Sequence, residues 1–290
     1  MDITHPAEVK VHRYLEDVTK GKRGMSEAVI NQVASDVHEA LTKQFANKKS
    51  RKEFTLRMSN VGRPACQLWF DKNDPDSATD FPINFLMNMM IGDIVEAVFK
   101  GILSEAGVVY KNGHQVTLEI EGHKINGTHD LLLDNKVDDI KSASPWSYKN
   151  KFKDFATLKE HDPFGYLGQL AGYAKALGVE AGGWWVINKA NGEFKYVSAW
   201  DMVLHEELDK IVETANTVKA NNFKRCFEPV EETFRKKPTG NKILGDQCGW
   251  CNYRYKCWPT LQERPSLVSQ AKEPPMIPYV EISDEYETSK

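Results

Sequence analysis

The chain has 290 residues, and its 41% apolar and 10% aromatic side chains can fill a core without disulfide support. Five cysteines, two of them in C-x2-C spacing, fit metal ligation in a reducing compartment better than a disulfide framework. The longest apolar stretch, near Phe85 to Met90, is too short to span a bilayer, and the charged segment Met1 to Lys20 has no signal-peptide core, so a cytoplasmic protein with no membrane partner is expected.

The formal net charge of −3 is carried by residues 271–290, with five acids (Glu273, Glu281, Asp284, Glu285, Glu287) and two bases (Lys272, Lys290). The rest of the chain balances to zero. Its basic clusters are Lys48, Lys49, Arg51 and Lys52, then Lys149, Lys151 and Lys153, then Arg235, Lys236 and Lys237. Each reads individually as a solvated surface. The middle one is singled out by its place just after Lys141, where it is suited to a phosphate backbone.

In chain order, residues 1–50 read as helical, with Val29, Ile30, Val33, Val37 and Leu41 at helical spacing, and suggest a separate N-terminal lobe. Asn84 to Ala106 is a second helix, with Phe85, Leu86, Met89, Met90, Ile94, Val95, Val98 and Phe99 on its apolar positions and Gly107 after its end. The period then changes to two. Val116, Leu118 and Ile120 mark one strand, Ile125 to Leu133 the next after the turn at Glu121-Gly122-His123, and Val137 to Lys141 a third after Asp134-Asn135. A helix from Tyr166 to Leu177, strands at Gly182 to Ile187 and Phe194 to Ala199, and an amphipathic helix from Asp201 to Asn221 complete the pattern. This order predicts an α/β domain with a mixed central sheet flanked by helices. The expected divisions are a helical region 1–58, a main domain 59–262 containing the cysteine region, and an acidic, proline-rich extended tail 263–290.

The candidate chemistry lies on the second and third strands. A phosphodiester repels nucleophiles and its leaving oxygen needs charge stabilisation, and Mg²⁺ or Mn²⁺ held by carboxylates supplies both needs. Asp130 and Asp139 fall on adjacent strands, so a hairpin brings them to one metal, with the Ile140 carbonyl as a further ligand. Asp139 and Lys141 are two apart and share a face, which places the lysine to orient water or stabilise the transition state.

Gly127-Thr128-His129-Asp130 followed by Asp139-Ile140-Lys141 resembles the PD-(D/E)xK nuclease superfamily, although no proline precedes the first aspartate. Gly92-x3-Glu96 resembles the family's first motif, which implies Glu96 as another metal ligand where the iron-sulfur branch often has histidine. Gln169-x3-Tyr173 looks like the RecB-family Gln-x3-Tyr motif and implies substrate-positioning roles for both residues. Lys149 and Lys151 are further substrate-binding candidates, and Lys189 a weaker one.

Cys248-x2-Cys251-x5-Cys257 provides three thiolates, and Cys66 is the distant fourth. Zinc ribbons usually take two C-x2-C pairs. The one-plus-three order resembles AddB and the CRISPR adaptation nucleases of the RecB-like branch, implying a structural [4Fe-4S] cluster, with Zn²⁺ the alternative. Cys226 is left over and reads as a small buried apolar residue. Trp250, Tyr253, Tyr255 and Trp258 around the ligands suit either base stacking or packing. The resemblance implies a Mg²⁺- or Mn²⁺-dependent deoxyribonuclease leaving 5′-phosphate ends, an exonuclease on DNA ends or single strands in recombination or repair, with possible recombination partner proteins. The alternative is a non-catalytic DNA-end-binding adaptor on the same restriction-endonuclease-like fold.

Overall fold

The computed structural model describes residues 5–45, 53–162 and 164–284. The basic run Lys48 to Lys52 and the acids Glu285 and Glu287 lie outside the described residues. The elements in chain order are α1 (Pro6–Thr19), α2 (Glu27–Phe45), α3 (Ala65–Asn73), α4 (Ile83–Glu105), β1 (Tyr110–Asn112), β2 (Gln115–Ile120), β3 (His123–Thr128), β4 (Leu131–Leu133) and β5 (Lys136–Ala143). They continue through α5 (Phe155–Glu160), α6 (Tyr166–Leu177), β6 (Glu180–Asn188), β7 (Phe194–Ser198), α7 (Leu204–Ala220), β8 (Val230–Phe234) and β9 (Lys237–Ile243). The last are α8 (Asp246–Gly249), α9 (Arg254–Cys257), β10 (Gln262–Pro265) and β11 (Met276–Glu281). The chain is mixed α/β, as the sequence predicts. No helix among the described residues is long and apolar enough to cross a membrane.

Two compact units result, Met1–Arg63 with Pro82–Asn216, and Pro64–Phe81 with Thr217–Lys290. The first is built on a five-stranded sheet ordered β1-β4-β5-β6-β7, antiparallel except for the parallel β5–β6 pair. Its strand residues alternate between two cores. On one face Val137, Trp184, Val186 and Val197 pack with Leu167, Leu170 and Tyr173 of α6 and with the separate β2–β3 hairpin through Leu118 and Ile125. On the other, Leu131, Leu133, Ile140, Trp185 and Tyr196 pack with Ala7 and Val11 of α1 and Phe99 and Leu103 of α4. The adjacent Trp184 and Trp185 fill opposite cores, as the period of a strand requires.

The N-terminal helices therefore do not form a separate lobe. The buried Glu8 carboxylate accepts the Tyr196 backbone N–H at 2.9 Å, joining α1 to β7. The expected strand Ile125 to Leu133 is also broken, because His129 and Asp130 leave the ladder as the chain passes from the β2–β3 hairpin to the central sheet. There the Asp130 carbonyl accepts from the Gly113 N–H at 2.9 Å. A side chain at Gly113 would collide with the His129 carbonyl, so glycine is required at this crossing. The turn at Asp134-Asn135 has two positive φ values, 49° and 59°, which closes β4 onto β5 as a two-residue hairpin.

Helix α4 starts earlier than expected and differs along its length. Ala97, Phe99, Gly101 and Leu103 are buried, whereas Ile83, Leu86, Met87 and Met89 are exposed.

The second unit holds α3, α8, α9 and a four-stranded antiparallel sheet ordered β10-β11-β9-β8. The tail is thus not simply an extended segment past the domain. Tyr279 of β11 is fully buried, its hydroxyl donating to Glu232 Oε1 at 2.9 Å and accepting from the Leu267 N–H at 3.0 Å.

Candidate functional sites: an acid-lysine cluster and a cysteine pocket

The β4–β5 ladder pairs Leu131 with Asp138, so Asp130 and Asp139 meet at the next step of the same hairpin. Asp130 Oδ2 accepts the Ile140 N–H at 2.7 Å. Asp139 is buried and its Oδ2 lies 2.6 Å from the Lys141 ammonium, an ion pair along one strand face. Lys141 Nζ lies 3.5 Å from Gln169 Oε1, and Gln169 Nε2 is 3.5 Å from the Tyr173 hydroxyl. Tyr173 in turn donates to the Thr128 carbonyl at 2.7 Å. One polar chain thus runs from α6 to β5, and its far end is tied to the segment that carries Asp130.

Gly127 has a packing role in that segment. A Cβ there would lie 2.6 Å from Met58 Cγ and 2.8 Å from Tyr173 Cε1, so only glycine lets the hairpin approach α6 this closely.

Glu96 of α4 is part-buried and pairs with Lys100 at 2.5 Å. Burial raises its pKa, and the charge of Asp130 raises it further. Burial followed by repulsion from Asp139 pushes Asp130 up to about 7. Asp139 is raised for the same first reason, against the pull of Lys141. Burial opposes the Lys141 charge, but Asp139 and Asp130 outweigh it and hold the ammonium protonated. Lys141 also lies 5.0 Å over the Tyr166 ring.

Three participants carried no motif in the sequence. Lys100 was accessible only through its i, i+4 spacing from Glu96, and Tyr166 through its place at the start of α6. Asp138 points to the other face, where Tyr196 Oη donates to it at 2.9 Å and Trp185 Nε1 at 3.2 Å, and burial raises it to about 7.

The remaining lysines separate. Lys189 donates to Asn88 Oδ1 at 2.5 Å, and Lys149 is exposed. Lys151 is buried at 5% exposure in the π-helical turn Ser147–Lys151, so it is not part of an open basic surface. Arg235 and Lys236 form the β8–β9 turn, with φ values of 51° and 66°.

All four predicted cysteine ligands lie in the second unit. Cys66 at the start of α3, Cys248 on α8, and Cys251 and Cys257 beside and within α9 line one pocket with Phe70 and Trp258. Burial, then the neighbouring Cys251 and Cys257, push Cys248 up to about 11, and burial raises Cys251. The fifth cysteine differs from expectation: Cys226 is exposed, and its sulfur accepts the Cys66 N–H at 3.1 Å. A separate thiol–thiol hydrogen bond with Cys66 lowers Cys226 to about 6, while Cys66 is raised, first by that thiol bond and then by burial. The aromatic residues divide. Tyr253 stacks on Phe70 and donates to Asp71 at 2.6 Å, and Trp258 is buried under Arg225, whereas Trp250 and Tyr255 are exposed.

Among the described residues, no three His, Cys, Asp or Glu side chains stand close enough together to hold a metal ion as positioned. The donor chemistry fits nevertheless. The buried Asp139 carboxylate, next to a second carboxylate that resists ionising beside it, suits a hard cation. Four thiols lining one pocket, where Cys251 and Cys257 oppose the ionisation of Cys248, suit a soft one.

No protein-family model matches the chain, and no curated protein matches it. Among solved structures, one titled "Crystal structure of SSO0001" aligns with a TM-score of 0.41 and 12% identity over 79% of this chain and 96% of that one.

Proposed function

We propose that the chain is a divalent-metal-dependent deoxyribonuclease of the PD-(D/E)xK kind, in the RecB-like branch, acting as an exonuclease on DNA ends or single strands and leaving 5′-phosphates. The observation that carries this reading is the Asp139–Lys141 ion pair on β5, with Asp130 across the hairpin and Gln169 of α6 in reach of the same ammonium. Glu96, Asp130, Asp139 and the Ile140 carbonyl would hold Mg²⁺ or Mn²⁺, which when bound neutralises phosphate charge and lowers the pKa of water.

The chain's own groups supply the positioning. Lys141 stays a cation at neutral pH, so it serves as a donor to the attacking water or to a phosphoryl oxygen, not as a base. Gln169 limits the directions that ammonium takes, and Tyr173 fixes Gln169 against the Thr128 backbone. The Ile140 N–H holds Asp130 through one oxygen and leaves the other for the cation.

The thiols of Cys66, Cys248, Cys251 and Cys257 are assigned to a structural [4Fe-4S] cluster, with zinc as the alternative, and iron and sulfide analysis of purified protein distinguishes the two. The function is tested by incubating end-labelled single- and double-stranded DNA, linear and circular, with Mg²⁺ or Mn²⁺. Metal-dependent shortening of linear DNA with circles intact is expected. Absence of cleavage by intact, metal-loaded protein overturns the reading. DNA binding without cleavage, unchanged in Lys141→Ala, selects the adaptor alternative.

A further inference from the structure

Among the described basic candidates, Lys151 has surroundings that differ from those of a surface lysine. Its residue is 5% exposed, and its ammonium is buried with no hydrogen-bond partner. It lies 4.3 Å from the ring centres of both Phe164 and Tyr166, and 5.7 Å from that of Phe152. The three rings form a stacked series, Phe152 on Tyr166 at 5.7 Å and Tyr166 on Phe164 at 5.7 Å. Asp162 is the acid whose charge reaches Lys151, but the two form no ion pair; Asp162 Oδ2 accepts the Leu167 N–H at 2.9 Å, and its Oδ1 is itself buried without a hydrogen-bond partner.

Rings attract an ammonium but do not replace its lost hydrogen bonds, so a buried unpartnered donor of this kind is costly unless something else meets it. The Lys141 ammonium shares the same Tyr166 ring, and both cations lie within 5.0 Å of its centre. Lys151 is therefore beside the proposed reaction centre. Phe164, which covers it, is 56% exposed and so has a free outer surface.

We propose that Lys151 and Phe164 form a subsite for the nucleotide next to the scissile phosphate, the ammonium taking that nucleotide's phosphate and the ring its unpaired base. The substrate class that this selects is single-stranded nucleic acid, because a base must leave its pair to stack on the ring. Occupation of this subsite requires the exposed Phe164 ring to move off the ammonium. The inference rests on the nuclease reading and deepens it.

The test uses the full chain and a fluorescent oligothymidylate, with Ca²⁺ replacing Mg²⁺ to block turnover. Lys151→Met keeps the packing and removes the charge. Its affinity is expected to fall about tenfold, and its log–log salt slope to flatten by about 0.7, the signature of one lost phosphate contact on a single strand. A purely structural role for Lys151 leaves that slope unchanged, and an unchanged slope overturns the inference. Phe164→Ala is expected to weaken single-strand binding about tenfold and leave duplex binding unaltered; equal loss on both, or none, counts against it. Should Lys151→Met not fold, methylphosphonate linkages in the oligonucleotide replace it, since neutralising one linkage flanking the cut must weaken wild-type binding, and no effect at either flank refutes the subsite. Wild-type protein that neither binds nor cleaves fails the nuclease reading itself. Wild-type cleavage with insensitive variants fails only this subsite.

Discussion

The acid-lysine cluster and the cysteine pocket are held in opposite ways. Asp130, Asp139, Lys141, Gln169 and Tyr173 sit on a hairpin and a helix already closed by two buried cores, and their polar groups meet one another directly. The cysteines sit on four-residue helical turns and the start of a short helix, where the local core beyond them is Leu244, Trp258 and Leu261. In the first region the fold positions the site. In the second, a bound metal centre would position the fold, because short turns have little helix stability of their own.

The largest expected effect tests the second half of that contrast. Structural metal binding contributes on the order of 10 kcal/mol to the folding of small thiolate-ligated segments. Cys251→Ala is expected to lose the iron or zinc and the thermal transition of the second unit, read by metal analysis and calorimetry. Full metal content and an unchanged melting profile would show that the turns hold themselves.

The next effect tests the first half. Asp130→Asn retains an acceptor for the Ile140 N–H while removing a buried carboxylate whose ionisation Asp139 opposes. The cleavage rate is expected to fall about 10²–10³-fold, with the melting temperature equal to or above that of the parent. A large drop in melting temperature would mean that this carboxylate maintains the fold.

The two regions also differ in how legible they are from sequence. The acid-site elements carried strong local signals: the boundaries of α6 at Tyr166 and Leu177, the Asp134-Asn135 turn, and the Asp139/Lys141 face all follow from periodicity and turn chemistry. The break at His129-Asp130 did not, since nothing local marks where a strand changes sheets. The second unit was obscured by composition. Its β8–β9 turn uses Arg235-Lys236 in place of the usual Asn-Gly, and Pro265 and Pro278 stand in strands, which made the tail look unpaired. What fixes β11 is the buried Tyr279–Glu232 bond, 47 residues apart, which no local pattern reports.

A smaller effect concerns Asp138, one residue from the site but on the opposite face. Burial raises its pKa from 3.8 to about 7, so between those values the folded chain keeps a proton that the unfolded chain has released. Its stabilising contribution is full below about pH 4 and is lost as pH rises through 7, with a slope of up to about 1.4 kcal/mol per unit. Asp138→Asn is expected to flatten that dependence and to stabilise the protein at pH 8, as measured by denaturant midpoints at pH 5 and 8. An unaltered slope would assign the pH dependence to Asp130 and Asp139 instead.

The smallest effect isolates positioning from packing. Tyr173→Phe keeps the ring that Gly127 makes room for and removes only the hydroxyl, which leaves the Thr128 carbonyl without this donor and Gln169 without its anchor. Loss of one such bond costs about 1 kcal/mol. Because the Gln169 contacts on both sides are long, at 3.5 Å, the amide is expected to lose its preferred direction toward Lys141 while the ion pair to Asp139 persists. The consequence is a several-fold fall in kcat with KM little changed, since Tyr173 reaches Lys141 only through Gln169. A Tyr173→Phe/Gln169→Ala double variant should then be no slower than Gln169→Ala alone, whereas additive losses would show that the hydroxyl acts on the substrate itself.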